Sequence, residues 1–320
     1  MPNPNISQLL STTMEAQKGD VVDNIAENNI IFFKLKERGR ILKQSGGALF
    51  RETLLYAENT TIRAQGAYDT YDTTPQDVIT SADFNQKIVT GTVTMTDLES
   101  LQNKGKEQII SLLKAKMEAL KTSFDNKFGD YSYADGTGSS GNEIGGLALL
   151  VADDPTTGTV GGINRATAGN TFWRNQLYDF SVESVTASAT TITNAMNVLY
   201  RRCQTQGGQM VDLITAGDTY FGFYENSLQA IQRLNESKVG QAGFDYLKYK
   251  SADVVFDSKM TASKMYFLNT KYLSYKYLGD SMMSVGEATR PHNQGVTIVP
   301  MTSVGNLTMT NARVHGVMIP

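Results

Sequence analysis

Nucleophilic, acid–base and metal chemistry need Cys, His and carboxylates in close constellations, and this sequence has little of the first two. It has one Cys, Cys203, and two His, His292 and His315. One Cys excludes a disulfide scaffold and a Cys-cluster metal site. Two His leave little for His-based metal or acid–base work. Cys203 falls on the apolar face of a predicted helix, with no His placed to activate it, so it reads as a small core residue. His292 follows Arg290-Pro291 in a predicted loop and His315 lies in the last predicted strand; both read as structural or exposed. Asp153-Asp154 precede Pro155, where turn chemistry accounts for them. Gly136-Thr137-Gly138-Ser139-Ser140-Gly141 satisfies G-x-G-x-x-G as text. That motif cradles a pyrophosphate only between a strand and a helix. Here a long predicted helix precedes it and a Gly-rich apolar strand follows, so it reads as a flexible loop. There is no Walker A, G-x-S-x-G, H-E-x-x-H or EF-hand pattern. Trp173 with Arg165 and Arg174 could bind an anion or a base; the plainer readings are a core aromatic with flanking surface Arg, or an anchor at a subunit contact. The sequence predicts no catalytic residue, no cofactor and no metal.

The charge balance narrows the class further. The 29 basic and 32 acidic residues give a net charge of −3, which argues against a protein whose main work is gripping nucleic acid. Charged residues make up 19%, and the 34 Thr outnumber Lys and Arg together. No stretch approaches the ~18 consecutive apolar residues of a membrane span. The opening Met1-Pro2-Asn3-Pro4-Asn5 lacks the charged and apolar regions of a secretory signal. At 320 residues, length alone suggests about two domains of ~150 residues.

The elements that would position these residues read as follows. Residues 6–44 form a helical or irregular arm; within it, Lys34, Lys36, Arg38, Arg40 and Lys43 against Glu37 give a local +4. Gly46-Gly47 punctuates the chain, and 48–57 reads as a strand. Val89, Gly91, Val93 and Met95 alternate with Thr90, Thr92, Thr94 and Thr96, the period of a strand with one polar face. Between them, Glu58 to Asn85 carries five acids and one Arg, a net −4. A connection of that length suits a two-stranded arm leaving the subunit better than a compact domain. An isolated two-stranded ribbon is marginal in water, so it needs another chain to lie on. Thr96-Asp97, with Glu99 in the first turn, caps a predicted helix whose apolar stripe runs from Leu98 to Phe128 and ends at Gly129. Gly105 is its weak point. A loop from Tyr131 to Gly141 and a short apolar strand, Gly145 to Val151, come next.

From about 186 the pattern alternates. Helix 190–206 closes at Gly207-Gly208, strand 210–216 follows, and Asp218 or Thr219 caps a helix running through Leu228, Ile231 and Leu234. Asp253–Phe256 is a strand, and 265–268 with 272–275 reads as a hairpin around Asn269-Thr270-Lys271. Strands at 296–299 and 307–318 close the chain. This region is a mixed α/β module.

In order and spacing, the chain from 46 to about 175, followed by 295 to 320, resembles the major capsid protein of tailed bacteriophages, with the Hong Kong 97 type fold. The matching pieces are the arm through NIAENNIIFFKLKERGRI, GGALFRETLLYAEN opening an extended loop, and VTGTVTMTDLESLQNKGKEQIISLLKAKMEAL returning into the long helix. GGLALLVADDPTTGTVGGINRATAGNTFWRN and MVDLITAGDTYFGFYENSL also match. The resemblance implies an α+β subunit. Its parts would be an N-terminal arm (1–45), an extended β-hairpin E-loop (46–95), a peripheral domain with the spine helix (96–185), an apical domain (186–290) and return strands of the peripheral domain (291–320). It implies hexamers and pentamers closing into an icosahedral head shell, a virion location, and assembly in the host bacterial cytoplasm. Implied partners are a separate scaffolding protein, a portal, decoration proteins in some relatives, and packaged double-stranded DNA contacted non-specifically, with no membrane. Some relatives crosslink a Lys to an Asn; loop 58–85 has no Lys and Lys87 lies only at its base, so this is not carried over. The candidate inter-subunit residues are Lys36, Arg38 and Arg40 in the basic run, Arg63, Asp69, Asp72 and Asp77 in the acidic loop, and Arg165, Trp173 and Arg174. The rival classes are an encapsulin-type nanocompartment shell and an enzyme built on the α/β module.

Overall fold

A computed structural model of the chain describes residues 29–102, 112–207, 210–228 and 246–320. The expected features at Ile25, Gly105, Ile109, Ile231 and Leu234 lie outside the described residues.

The first helix, α1 (Ile30–Glu37), starts where the Asn29 side chain accepts the Phe32 N–H at 3.2 Å. It ends at Gly39, whose φ of 63° lets the Arg40 N–H turn back to the Leu35 carbonyl. Ile30, Ile31 and Leu35 are buried in the main core, so from Ile30 onward the expected arm is packed into the body. Strand β1 (Ile41–Gln44) then joins a sheet in parallel with Leu273–Leu278.

A ribbon follows. Strands β2 (Leu49–Leu55) and β3 (Ile79–Asn85) pair antiparallel from Leu49–Asn85 to Leu55–Ile79, and residues 57–78 between them are irregular. Phe50, Leu54, Ala82 and Phe84 bury the inward face. The return strand of the ribbon is therefore 79–85, not the Thr-rich strand. That strand, β4 (Lys87–Thr96), leaves the ribbon and pairs with Val296–Met309 in a five-stranded sheet. Its helix-facing side decides this: a Cβ on Gly91 would lie 2.7 Å from Leu120 and Phe124 of the long helix, so strand and helix pack more closely than any side chain there allows. Ile88, Thr90, Thr92 and Thr94 point the other way and are exposed.

Thr96 starts the next helix with a reciprocal cap. Its hydroxyl accepts the Glu99 N–H at 3.2 Å while Glu99 accepts the Thr96 N–H at 2.9 Å. Helix α2 (Asp97–Gln102) leads toward α3 (Leu112–Tyr133), and Glu99 pairs with Lys116 of α3 at 2.9 Å. Helix α3 runs past the expected stop at Gly129, because Phe128 remains in the core and Ser132 returns its hydroxyl to the Phe128 carbonyl. The expected strand at 145–151 is instead a single helical turn, α4 (Leu147–Leu150). The guanidinium of Arg165 takes the Leu149 and Leu150 carbonyls, an end-capping role a strand would not need.

Two small strands, β5 (Thr159–Val160) and β6 (Ile163–Asn164), precede β7 (Gln176–Asp179), α5 (Ile192–Gly207), β8 (Leu213–Ala216) and α6 (Asp218–Ser227). Then come β9 (Tyr246–Tyr249), β10 (Ala252–Phe256), β11 (Met265–Leu268), β12 (Leu273–Leu278), β13 (Ser284–Val285), β14 (Val296–Met309) and β15 (Gly316–Ile319). One sheet has the order β7-β15-β11-β8-β10-β9; in the other, β1-β12-β14-β13 share a path and β4 lies on the far edge of β14. The expected hairpin at 265–275 does not form. The Thr270 N–H and hydroxyl both donate to Asp212, at 2.8 and 2.5 Å, and hold a turn that carries the chain from one sheet to the other. Pairing also differs from the expected domain boundaries: β12 joins the sheet of β4 and β14, while β15 joins the sheet of β8 and β11.

The six-stranded sheet is buried on both faces. Ile214, Val254 and Phe267 face α5 and α6, and Leu213, Val255 and Tyr266 face the core containing α1 and α3. Such strands read as unbroken apolar runs, as Met265–Leu268 does.

Candidate inter-subunit surfaces

Two of the three residues best suited to reactive chemistry, Cys203 and His315, are used for packing. Cys203 is buried, and burial pushes its thiol up to about 12. His315 is buried, its imidazole pushed down to about 3 by burial, and its Nδ1 accepts the Asn269 N–H at 3.3 Å. His292 is exposed in a turn. In the Gly136–Gly141 loop, Ser139 and Ser140 hold left-handed φ values of 51° and 58°, and Lys87 donates to the Gly141 carbonyl. No strand-to-helix phosphate turn is built there. Among the described residues, no group of three or more His, Cys, Asp or Glu stands together to hold a metal.

Arg165, Trp173 and Arg174 form an internal knot. Arg165 is 0% exposed and donates to the carbonyls of Trp173 (2.9 Å), Leu149 (3.4 Å) and Leu150 (2.6 Å); burial lowers its pKa to about 10. Trp173 donates its indole N–H to the Val160 carbonyl at 2.9 Å. Arg174 makes a two-pronged bond to the Arg165 carbonyl at 2.9 and 2.7 Å. Arg165 and Trp173 therefore offer a neighbour no surface; the core reading of Trp173 is the correct one, and Arg165 is a core residue beside it.

Much of the basic run is also spent inside the subunit. Lys34 lies 3.0 Å from Asp253, Arg38 lies 3.3 Å from Asp212, and Arg40 donates to the Leu273 carbonyl at 3.2 Å. Lys36 is exposed. The Lys34 and Arg38 contacts belong to a polar seam joining the arm helix and α3 to the six-stranded sheet, while Arg40 reaches the start of β12 in the other sheet. Tyr133 donates to Asp257 at 2.8 Å, Lys259 pairs with Asp130 at 2.8 Å, and Lys264 pairs with Asp153. Burial, reinforced by Asp257, pushes the Tyr133 phenol well up. At Glu99 burial works against the carboxylate, but the Thr96 N–H and Lys116 outweigh it and hold the group below its ordinary range.

The acidic loop is organised by local turns. Arg63 donates to the Thr70 carbonyl at 2.6 Å, and Asp69 accepts the Gly66 N–H at 2.7 Å. Asp72 accepts from the Thr74 hydroxyl and N–H, which lower its pKa. Asp77 lines a cleft of about 460 Å³ at the ribbon's distal end, with Tyr56, Phe172 and Asn164. None of Asp69, Asp72 and Asp77 forms an ion pair among the described residues.

The surfaces with the strongest need for a partner are apolar. Tyr68 is fully exposed, and Leu55 and Ile79, directly opposite each other on the ribbon, are 78% and 60% exposed. Ile62 and Tyr71 are bare too, as are Ile88 at the start of β4 and Leu98 and Leu101 on α2. The bare Leu55–Ile79 pair marks the ribbon's distal end as a candidate interaction surface. The sequence held one signal for them: Leu55 is out of phase with the inward Phe50 and Leu54.

The sequence matches no protein-family model and no curated protein. Solved structures do match along the whole chain. The capsid asymmetric unit of cyanophage A-1(L) aligns with a TM-score of 0.73 at 17% identity, covering 96% of this chain and 97% of that one. The capsid of Myoviridae phage XM1 aligns at 0.57 and 12%, covering 95% and 96%. The holo-SrpI encapsulin complex of Synechococcus elongatus aligns at 0.56 and 9%, covering 100% and 95%. The chain has the α+β fold of capsid subunits, the Hong Kong 97 type.

Proposed function

We propose that the chain is a major capsid protein: a structural subunit that self-assembles as hexamers and pentamers into the icosahedral head shell of a tailed double-stranded DNA phage. The observation that carries this reading is the end-to-end likeness to phage capsid subunits, over 96% of this chain in the cyanophage case. The bare ribbon supports it, because a ribbon with Leu55, Ile79 and Tyr68 in water gains free energy only when another chain covers it. The reading assigns the chain no reaction and no cofactor, and places it in the virion. A scaffolding protein, a portal and non-specifically contacted DNA are its expected partners. A slightly acidic subunit suits that cargo, since DNA that is packed and later ejected gains from weak contact with the wall. The acidic loop 58–85 is proposed to lie near basic residues of a neighbour, with Lys36, Arg38 and Lys43 the exposed members of the basic run. Among the described residues no helix is long and apolar enough to cross a membrane.

The likeness to an encapsulin supports a second reading, a nanocompartment with protein cargo. Electron microscopy of the expressed chain, alone and with a scaffolding partner, tests the shell; nuclease-protected DNA in particles isolated from infected cells separates the two cargoes. Shells in neither preparation would overturn both readings.

A further inference from the structure

Among the described residues, three cations lie over tyrosine rings. Arg202, 5.7 Å from the Tyr178 ring centre, is matched by Glu183 at 2.8 Å. Lys271 rests on the single ring of Tyr272, 5.6 Å away. Lys250 covers two, with its ammonium 4.5 Å from the centre of Tyr200 and 5.3 Å from that of Tyr249. Both rings are held in place. They are buried, meet edge to face at 5.9 Å, and hold their hydroxyls on Ser251 (2.7 Å) and Asn197 (2.8 Å). Lys250 itself is exposed and forms no ion pair among the described residues, whereas Lys248 on the same hairpin meets Asp253 at 3.5 Å. The charge that acts on Lys250 is a like one, the exposed Arg201 of α5; partial burial and this repulsion both hold the ammonium below its ordinary pKa.

The backbone makes an exception at the same residue. Tyr249 pairs with Ala252, so Lys250 and Ser251 are the whole turn between β9 and β10. Lys250 takes a left-handed φ of 53° and Ser251 does not, the pattern of a hairpin turn whose first position is ordinarily Gly. A lysine side chain strains that position. The strained turn holds one cation on a rigid aromatic floor beside a second cation. Such a pair repels itself when alone and gains free energy when an anion lies between its members. We propose that Lys250 and Arg201 form a binding site for a phosphate group. The ammonium turns N–H donors away from the rings, and the guanidinium fork suits two oxygens of one phosphate. The phosphate is that of a free polyphosphate or of a nucleic-acid strand, which share this chemistry. The site belongs to the single subunit and does not rest on the shell reading.

Calorimetric titration of the full chain with inorganic tripolyphosphate, and separately with a short DNA duplex, tests the site. Lys250→Met keeps the stem on the rings and removes the charge; it is expected to weaken binding about tenfold or more, the loss of one charge-assisted contact. Arg201→Gln is expected to weaken it as well, and Lys271→Met, which removes a lysine from a lone ring, to leave it unchanged. Lys250→Gly separates a ligand role from a structural one. Gly suits the turn, so the melting temperature is expected to hold or rise while binding falls as in Lys250→Met. Lys250-dependent binding of the duplex, weakening steeply with salt, assigns the phosphate to nucleic acid. Binding of tripolyphosphate alone assigns it to a free polyphosphate. Binding of neither probe, undiminished binding in Lys250→Met, or an equal loss in Lys271→Met overturns the site, as does a melting temperature that falls in Lys250→Gly while binding persists. None of these results depends on whether shells form.

Discussion

The six-stranded sheet and the two-stranded ribbon are built by the same chain under opposite conditions. The sheet has helices on one face and the α1–α3 core on the other, and its central strands β8 and β11 are buried throughout. The ribbon has one covered face, formed by Phe50, Leu54, Ala82 and Phe84, and an outward tip of Leu55 and Ile79 with no cover. Tyr133–Asp257 and Lys34–Asp253 tie the sheet to the body, whereas the ribbon's distal loop is held by its own turns at Gly66–Asp69 and Asp72–Thr74. The sheet completes its folding inside one subunit. The ribbon's outward tip and the outward side of β4 are left uncovered by their own subunit.

The sharpest way to break that comparison is to remove the ribbon's distal part. Replacing residues 57–78 by a two-residue turn is expected to abolish shells while the subunit's thermal unfolding stays within a few degrees of the parent, read by microscopy and calorimetry. A large fall in melting temperature would mean the loop also serves its own subunit. Damage to the core should do the reverse. Phe128 packs against Phe32 at 5.3 Å and Tyr275 at 5.9 Å between ring centres. Phe128→Ala is expected to cost the isolated subunit about 3–5 kcal/mol in denaturant unfolding.

A smaller effect comes through pH. The folded imidazole of His315 is held neutral down to about 3, against an ordinary value of 6.5. Its folded value is lowered, so the unfolded chain takes up the proton first as pH falls. Stability is full above about 6.5 and is lost progressively between 6.5 and 3. The folding equilibrium should weaken up to about tenfold per pH unit in that window through this group. His315→Gln keeps an acceptor for the Asn269 N–H and should flatten the dependence, measured by denaturant unfolding from pH 7 to 4. An unchanged slope would show that carboxylates dominate it. The smallest expected change is at the helix start: Thr96→Ala removes half of the reciprocal cap with Glu99 and should cost about 1 kcal/mol by the same assay.

Legibility in the sequence followed local causes. The cap at Thr96, the spine of α3 and the alternation of β4 are set by neighbouring residues, and they appear where pattern and spacing put them. The polar excursion after residue 57 reads as a two-stranded arm, whereas only its end, Ile79–Asn85, is a strand and 57–78 is irregular. What pattern could not supply was long-range pairing. The alternation of 89–96 fits a ribbon strand and a sheet strand equally, and only the fit of Gly91 against Leu120 and Phe124 decides for the sheet. The turn at Asn269–Lys271 looks like a hairpin until Asp212, nearly sixty residues away, claims Thr270. The basic run looks like a free patch because Asp212 and Asp253 lie far along the chain. Arg165 was misplaced for a related reason: an arginine satisfied wholly by backbone carbonyls leaves no complementary acid in the sequence.

Hydrogen–deuterium exchange on the free subunit and on the assembled particle tests the central claim most directly. The amides of 57–78 and of the ribbon's distal end should exchange rapidly in the free subunit and become strongly protected in the particle. Those of β8 and β11 should be equally protected in both. Equal exchange of the ribbon in the two states would contradict the account, since it would mean that no neighbour covers it.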